Sequence, residues 1–231
     1  MKYAAVIFDL FGTLVDKFPL EEHRKILQQM ASVVSAPPDD FTRLWFDTYE
    51  ERGMGTFQSY EANIEYICQK LGVKTDNSHV KFAVKINREG GARLMKPRPH
   101  STELLAYLKT ENYKTGLISD CGVEIPKIFN NMPFALLIDM AIFSSLVGMQ
   151  KPDLRIYQLA AERLEVKPED RLYIGDGDSN ELTSALEAGM QPVLVRNPAE
   201  DHNDVYRTYF EGDDWQGPAI SSLREVRDLI E

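Results

Sequence analysis

Near the N-terminus the run Lys2-Tyr3-Ala4-Ala5-Val6-Ile7-Phe8 is rich in strand formers and stops at a carboxylate, Asp9. An apolar run of this length predicts a fully buried strand. Leu10-Phe11-Gly12-Thr13-Leu14 follows. An acid at the C-terminal end of a buried strand, then a glycine, fits the edge where open α/β sheets keep their ligands. Gly12 lets the backbone turn tightly and come close to a ligand. Taken alone, the same letters describe any strand ending in an acid and a turn, so later stretches must decide.

Those stretches divide into two kinds. Residues 16–95 carry helical periodicity and little strand pattern. Leu20 to Val34 repeats apolar side chains at Ile26, Leu27, Met30, Val33 and Val34. Pro37-Pro38-Asp39-Asp40 opens a second helix with Phe41, Leu44, Trp45, Thr48 and Tyr49 on one face. Tyr60 to Leu71, closed by Gly72, and Val80 to Arg93 complete the set. The aromatic stripe Phe41, Trp45, Tyr49 is read as core of this bundle. His23, Arg24, Arg52 and Arg93 offer candidate substrate contacts, but each is read first as a solvated surface residue.

Lys96-Pro97-Arg98-Pro99 is an extended return. Beyond it strands alternate with helices. Ser101 is expected to cap a helix running to Thr110. Strands are expected at 114–119, 139–145, 171–175 and 192–196. Helices are expected at 124–131, 153–164, 180–188 and 221–230. This alternation predicts an α/β fold, a parallel sheet covered by helices on both faces. The expected organisation is a Rossmann-like core of residues 1–15 and 96–231, with residues 16–95 an inserted all-helical cap.

Charge narrows the partners. The 231 residues carry 26 basic and 36 acidic side chains, a net −10. That argues against nucleic acid and anionic membranes, which need a basic footprint. An anionic small molecule stays compatible, because a metal ion and a few local cations can reverse the field in a cleft. Two distant cysteines, Cys68 and Cys121, make neither a disulfide framework nor a zinc pattern. They suit a reducing cytoplasm, the expected location. The N-terminal apolar run is too short for a signal peptide, and nothing approaches a membrane span of ~20 residues.

Four predicted strands end in polar groups: Asp9; Ser119-Asp120; the stretch Gly148 to Pro152 with Lys151; and Gly175-Asp176-Gly177-Asp178-Ser179-Asn180-Glu181. In a parallel sheet these ends lie along one edge. A nucleophile, an anion-binding hydroxyl, a cation and an acidic metal-binding loop are therefore expected to converge.

On Asp9-Leu10-Phe11-Gly12-Thr13-Leu14, Ser119, Lys151-Pro152-Asp153 and Gly175-Asp176 through Glu181, in that order, the chain resembles the haloacid dehalogenase-like hydrolases. The resemblance covers essentially the whole chain. It implies a Rossmann-like core with a mobile helical cap after the first strand, hinged near Val15-Asp16 and Lys96-Pro97. It implies catalytic roles for Asp9, Ser119 and Lys151, with Asp9 attacking phosphorus to give an aspartyl-phosphate. It implies Mg²⁺ on Asp9, the main-chain carbonyl of Phe11 and Asp176. Gly12, Thr13, Ser119 and Asp120 are assigned to substrate binding. Asp178 is either a solvated loop acid or a support for the metal loop. Asn180 and Glu181 are assigned to supporting the site, with Glu181 alternatively a base.

Two departures matter. Phosphatases of the family usually carry a second Asp two residues after the nucleophile, which protonates the leaving group and activates water. Phe11 can do neither. Haloacid dehalogenases carry an aromatic there. Glu181 stands where the family often has Asp. The expected activity is a Mg²⁺-dependent hydrolase acting on a small phosphate ester. The alternatives are a metal-free 2-haloacid dehalogenase, in which Asp120 would repel the substrate carboxylate, and a binding or regulatory protein with little turnover.

Overall fold

The computed structural model describes residues 2–196 and 214–231, so the stretch 197–213 of the expected core lies outside the described residues. Among the described residues the strands form one parallel sheet in the order β3-β2-β1-β4-β5-β6. These are β1 Ala5–Phe8, β2 Lys114–Ser119, β3 Met140–Phe143, β4 Arg171–Gly175, β5 Gln191–Val195 and β6 Ala219–Ile220. β1 pairs with β2 on one side and β4 on the other. The chain thus builds outwards in one direction from β1 to β3, then returns and builds the other way. That reversal is the topological switch point of an α/β sheet, where a crevice opens at the C-terminal strand ends. Asp9 follows β1 directly at this point.

Alternation on β1 explains why all four of its residues are buried. Val6 and Phe8 join one apolar cluster with Leu104, Leu117 and Val226. Ala5 and Ile7 join the opposite cluster with Ile156, Tyr157 and Leu182. Helices α6 Ser101–Thr110 and α11 Val226–Ile230 serve the first face, and α9 Leu154–Leu164 and α10 Glu181–Glu187 the second. Short helices α7 Ile125–Phe129 and α8 Ser144–Val147 follow β2 and β3.

Between β1 and α6 lie α1 Leu20–Val33, α2 Pro38–Asp47, α3 Tyr49–Gly53, α4 Tyr60–Lys70 and α5 Asn77–Leu94. They enclose a separate apolar cluster around Leu27, Phe41, Trp45 and Ile64. Asp76 caps α5 by accepting from the backbone N–H groups of Ser78 and His79. The two links between this helical block and the sheet run side by side. The Asp16 N–H donates to the Lys96 carbonyl at 2.9 Å, and the Arg98 N–H to the Leu14 carbonyl at 2.9 Å.

Several local expectations need correction. The second helix breaks at Thr48, whose hydroxyl donates back to the Leu44 carbonyl at 2.9 Å, so Tyr49 opens α3. Ser101 does not cap α6. His100, in the left-handed region at φ 67°, precedes it, and the Ser101 side chain is buried. The strand expected at 139–145 ends at Phe143, where the chain turns into α8. The helix expected from Asn180 begins at Glu181, because Asn180 itself is left-handed. The last helix opens with a tight turn over Leu223–Glu225, closed by a Ser222–Glu225 capping box. Two-residue β6 carries no readable pattern.

Two adjacent glycines in α5 give a test of the helical packing. An Ala methyl at Gly90 would come within 2.5 Å of Ile26 Cδ1 and 2.8 Å of its Cγ1, a branched side chain with little rotamer freedom. At Gly91 the nearest atom, on Ile128, is 3.5 Å away. Gly→Ala inside a helix gains about 0.5–1 kcal/mol, whereas forcing extra volume into a packed core costs about 1–3 kcal/mol. Gly91→Ala is therefore expected to raise the urea midpoint and Gly90→Ala to lower it. The same sign for both would contradict the α1–α5 packing.

Candidate active site

Asp9, Lys151 and Glu181 are brought together from three separated segments. The Lys151 ammonium donates to Asp9 Oδ1 at 2.6 Å and to Glu181 Oε2 at 2.7 Å. All three side chains are buried. Glu181 is held from further directions: the Tyr173 hydroxyl donates to Oε2 at 2.8 Å and the Gly177 N–H to Oε1 at 3.0 Å. A Cβ at Gly175 would overlap Glu181 Oε1, so the glycine is what lets this carboxylate come so close to the end of β4. The Tyr157 hydroxyl donates to the Glu181 main-chain carbonyl at 3.0 Å.

Electrostatics follow from this burial. Burial pushes Asp9 up to about 6, with Lys151 pulling it down and Asp176 adding to the rise. Burial likewise raises Glu181, against the pull of Lys151. Burial alone would favour a neutral lysine. Asp9 and Glu181 outweigh it and hold the ammonium charged well above the ordinary lysine range. Burial also lifts Asp120 to about 6, partly offset by Lys151, whose backbone N–H donates to Asp120 Oδ1 at 3.1 Å.

One oxygen of Asp9 is left over. Oδ2 is buried and accepts no hydrogen bond. One carboxylate oxygen each of Asp9, Asp176 and Glu181 lie within 4.8 Å of one another. Glu181 is committed to Lys151, Tyr173 and Gly177, which leaves Asp9 and Asp176 as the side chains able to hold a cation. An all-oxygen donor set fits a hard divalent ion. Across the loop, the Lys17 ammonium pairs with Asp176 and, at 2.5 Å, with Asp178. Gly12, at φ +84°, makes room for this pair, since a Cβ there would overlap both Asp176 and the Lys17 stem.

Above the carboxylates is a cavity of about 170 Å³ between the strand ends and the helical block. Asp9, Asp120, Lys151, Asp176 and Asp178 form its polar floor. Its upper walls are largely aromatic and apolar, with Phe11, Phe18, Trp45, Tyr49, Tyr60 and Ile128 among them. Phe11 stacks edge-on against Phe18 at 5.4 Å. Of the stripe, Phe41 and Trp45 are buried in the core of the bundle, as the core reading expects, while Trp45 and Tyr49 also line this cavity.

The same holds for two residues expected at the surface. Arg52 is 5% exposed. Its Nη1 donates to the Trp45 carbonyl at 2.5 Å, Thr48 Oγ1 at 2.7 Å and Asn63 Oδ1 at 3.2 Å, and its guanidinium lies 4.4 Å over the Trp45 ring. His23 also lines the cavity; burial, and then Arg52, depress its imidazole to about 3, so it is neutral near pH 7. Gly12, Thr13, Ser119, Asn180 and Glu181 do not reach the cavity wall. Thr13 and Ser119 are fully buried at the strand ends, while Gly12 packs on Asp176. Lys17 had no sequence signal, because nothing local separates it from any lysine after a turn.

The sequence profile of the haloacid dehalogenase-like hydrolases matches residues 3–189. The chain belongs to that family. It is 26% identical over 139 residues to a glyceraldehyde 3-phosphate phosphatase of Methanothermobacter thermautotrophicus, a match covering 59% of this chain and 60% of that one, under two thirds of its length. It is 26% identical over 237 residues to (S)-2-haloacid dehalogenase H-109 of Pseudomonas putida, covering 98% and 94%. In fold it is similar to the 2-haloacid dehalogenase of Pseudomonas syringae pv. Tomato DC3000, at TM-score 0.74, 17% identity and coverage of 99% and 98%. This haloacid dehalogenase-like hydrolase therefore has relatives in both activities at similar identity. Among its described residues no helix is long and apolar enough to cross a membrane.

Removing the Lys151 charge should be costly. Lys151→Met keeps much of the volume but leaves Asp9 and Glu181 buried without their shared counter-ion. Breaking a buried ion pair from one side costs about 3–5 kcal/mol. Urea unfolding in EDTA should show a loss of that size, whereas Lys25→Met, on an exposed pair with Glu22, should leave the midpoint unchanged. A Lys151→Met midpoint equal to that of Lys25→Met would disconnect Lys151 from the carboxylates.

Proposed function

We propose that this hydrolase is a Mg²⁺-dependent phosphatase acting through an aspartyl-phosphate on Asp9, with the helical block as its cap. The observation that carries the reading is a buried Asp9 oxygen, Oδ2, that accepts no hydrogen bond, on a carboxylate grouped with that of Asp176. With the other Asp9 oxygen held on Lys151, this carboxylate is oriented and still has an oxygen to offer. Charge supports the same choice. Five carboxylates line the cavity, at Asp9, Asp120, Glu124, Asp176 and Asp178, against the three cations Lys17, Arg52 and Lys151. A site with excess negative charge suits an anionic substrate only when a further cation accompanies it. Asp9, Asp176 and the Phe11 carbonyl would hold Mg²⁺, which when bound would offset much of the charge of the carboxylates and the phosphate.

The residues then act as follows. Asp9 attacks phosphorus, the bond from phosphorus to the leaving oxygen breaks, and that oxygen departs with the electron pair. Lys151 keeps Asp9 ionised and stabilises charge spreading over the phosphoryl oxygens. Glu181 fixes the position of Lys151 rather than reacting. Water subsequently cleaves the aspartyl-phosphate, releasing phosphate and restoring Asp9. Phe11, where the family's phosphatases carry their acid, has no proton to give the leaving oxygen, and His23 is neutral near pH 7. General acid catalysis typically contributes ~10²–10⁴-fold. The substrate should therefore carry a leaving group that departs without help, as in aryl or acyl phosphates, and the aromatic walls would accept such a group.

The competing reading is displacement of halide from a 2-haloacid by Asp9. Phe11 favours it, because halide needs no proton. A panel of aryl phosphates, alkyl phosphates and 2-haloacids, assayed with Mg²⁺ and with EDTA, separates the two. Release of phosphate from aryl esters only with Mg²⁺ is expected, with a burst from slow hydrolysis of the intermediate. Halide release in EDTA without phosphatase activity would overturn the proposal. Asp9→Asn should fold and be inactive, and Phe11→Asp should gain most on alkyl phosphates.

A further inference from the structure

We infer that Lys17 is a built-in counter-ion of the acidic loop that competes with the divalent cation for Asp176. This rests on the metal-dependent reading above. Its ammonium pairs with Asp176 and Asp178, and its side chain is 15% exposed. Asp176 is one of the two side chains left to hold a divalent ion once Glu181 is committed to Lys151, Tyr173 and Gly177. An ammonium in contact with a carboxylate fills the space a small cation needs, and two positive charges this close repel each other. Magnesium entry therefore requires the Lys17 ammonium to leave Asp176.

The geometry is specific to this site. Lys17 emerges from the link that follows Asp16, whose N–H is fixed to the Lys96 carbonyl, so its backbone is anchored while its side chain reaches over the loop. Gly12 supplies the gap through which the Lys17 stem and Asp176 meet. Without a divalent ion, Lys17 relieves the repulsion between Asp9 and Asp176 and keeps the loop folded. With one, it becomes redundant and its charge opposes binding.

Calorimetric titration of Mg²⁺ into the full chain tests this without an activity readout. Lys17→Met and Lys17→Gln are both expected to bind Mg²⁺ about tenfold more tightly than wild type, a difference of ~1.4 kcal/mol. Lys17→Arg, which keeps the charge, should stay near wild type. Melting temperatures add a second reading: Lys17→Met should melt below wild type in EDTA and recover in Mg²⁺ by more than wild type does. Adding Asp176→Asn to Lys17→Met should remove the heat, placing it at this loop. Equal Mg²⁺ affinity in wild type, Lys17→Met and Lys17→Gln would overturn the competition and leave the metal-dependent reading standing. No heat in any of these proteins would overturn both.

Discussion

A lysine ammonium buried between two carboxylates is the interaction on which this architecture depends. Burying any one of these charges alone is costly, and the cost is met only when partners and hydrogen bonds are all in place. Lys151 meets Asp9 from the end of β1 and Glu181 from the start of α10, and Tyr173 and Gly177 complete the coordination of Glu181. Segments 142 and 30 residues away from Lys151 must therefore be correctly placed before the ammonium is neutralised. The arrangement positions Asp9 through the sheet itself, directly after β1. It also holds both oxygens of Glu181 in hydrogen bonds, Oε2 with Lys151 and Tyr173 and Oε1 with the Gly177 N–H.

The topology that makes such a site also creates its difficulty. A switch point gathers strand ends, and here each end brings an acid: Asp9, Asp120 and Asp176. Cations answer them from different directions. Lys151 comes from the core beneath, and Lys17 from the outgoing link to the helical block. In the returning link, Arg98 Nη1 donates to the Gly12 carbonyl at 2.5 Å. The outgoing link is thus tied to the acidic loop after β4, and the returning link to the loop after β1. A displacement of the helical block that moved them would be felt at Asp176 and Gly12 without any contact between the block and the nucleophile. That coupling ties the position of the helical block to the loops that carry Gly12 and Asp176.

What could be read from the sequence was local. Apolar runs ending at Asp9, Ser119 and Gly175 identify buried strands because burial on both faces removes polar letters from the run itself. The order of the acids and Lys151 along the chain was enough to place Asp9, Lys151 and Asp176 on one edge. The rest depended on tertiary geometry. Arg52 and His23 look like surface residues because their burial is imposed by neighbouring helices and by Trp45, Thr48 and Asn63. The break at Thr48 turns on one hydroxyl bonding back to a carbonyl four residues earlier. Glu181 announces an acid but not that its oxygens face Lys151 and Tyr173, and Lys17 gives no sign at all. Gly12 was legible as a turn, yet its closest consequence, room for Asp176 and Lys17, is a contact with distant residues.

The two reactions proposed for Asp9 share their first event, attack by its carboxylate oxygen, and differ in what leaves and what charge arrives. Phe11 favours halide, which needs no proton, but a stabilised aryl oxide also leaves without one, so Phe11 alone does not decide between them. Charge does. A 2-haloacid brings one negative charge that must be met by groups already present, while a phosphate ester brings more and can bring its cation with it. Here Lys151 is committed to Asp9 and Glu181, and Lys17 to Asp176 and Asp178. Arg52 spends its Nη1 on the Trp45 carbonyl, Thr48 and Asn63. Asp120 adds an acid at the cavity floor whose second oxygen accepts no hydrogen bond. A lone carboxylate substrate would enter a floor where negative charge is in excess and the cations are occupied. A phosphate arriving with a divalent ion supplies the missing positive charge itself, which is why the electrostatic balance of the floor weighs for phosphoryl transfer even though the residue after Leu10 does not.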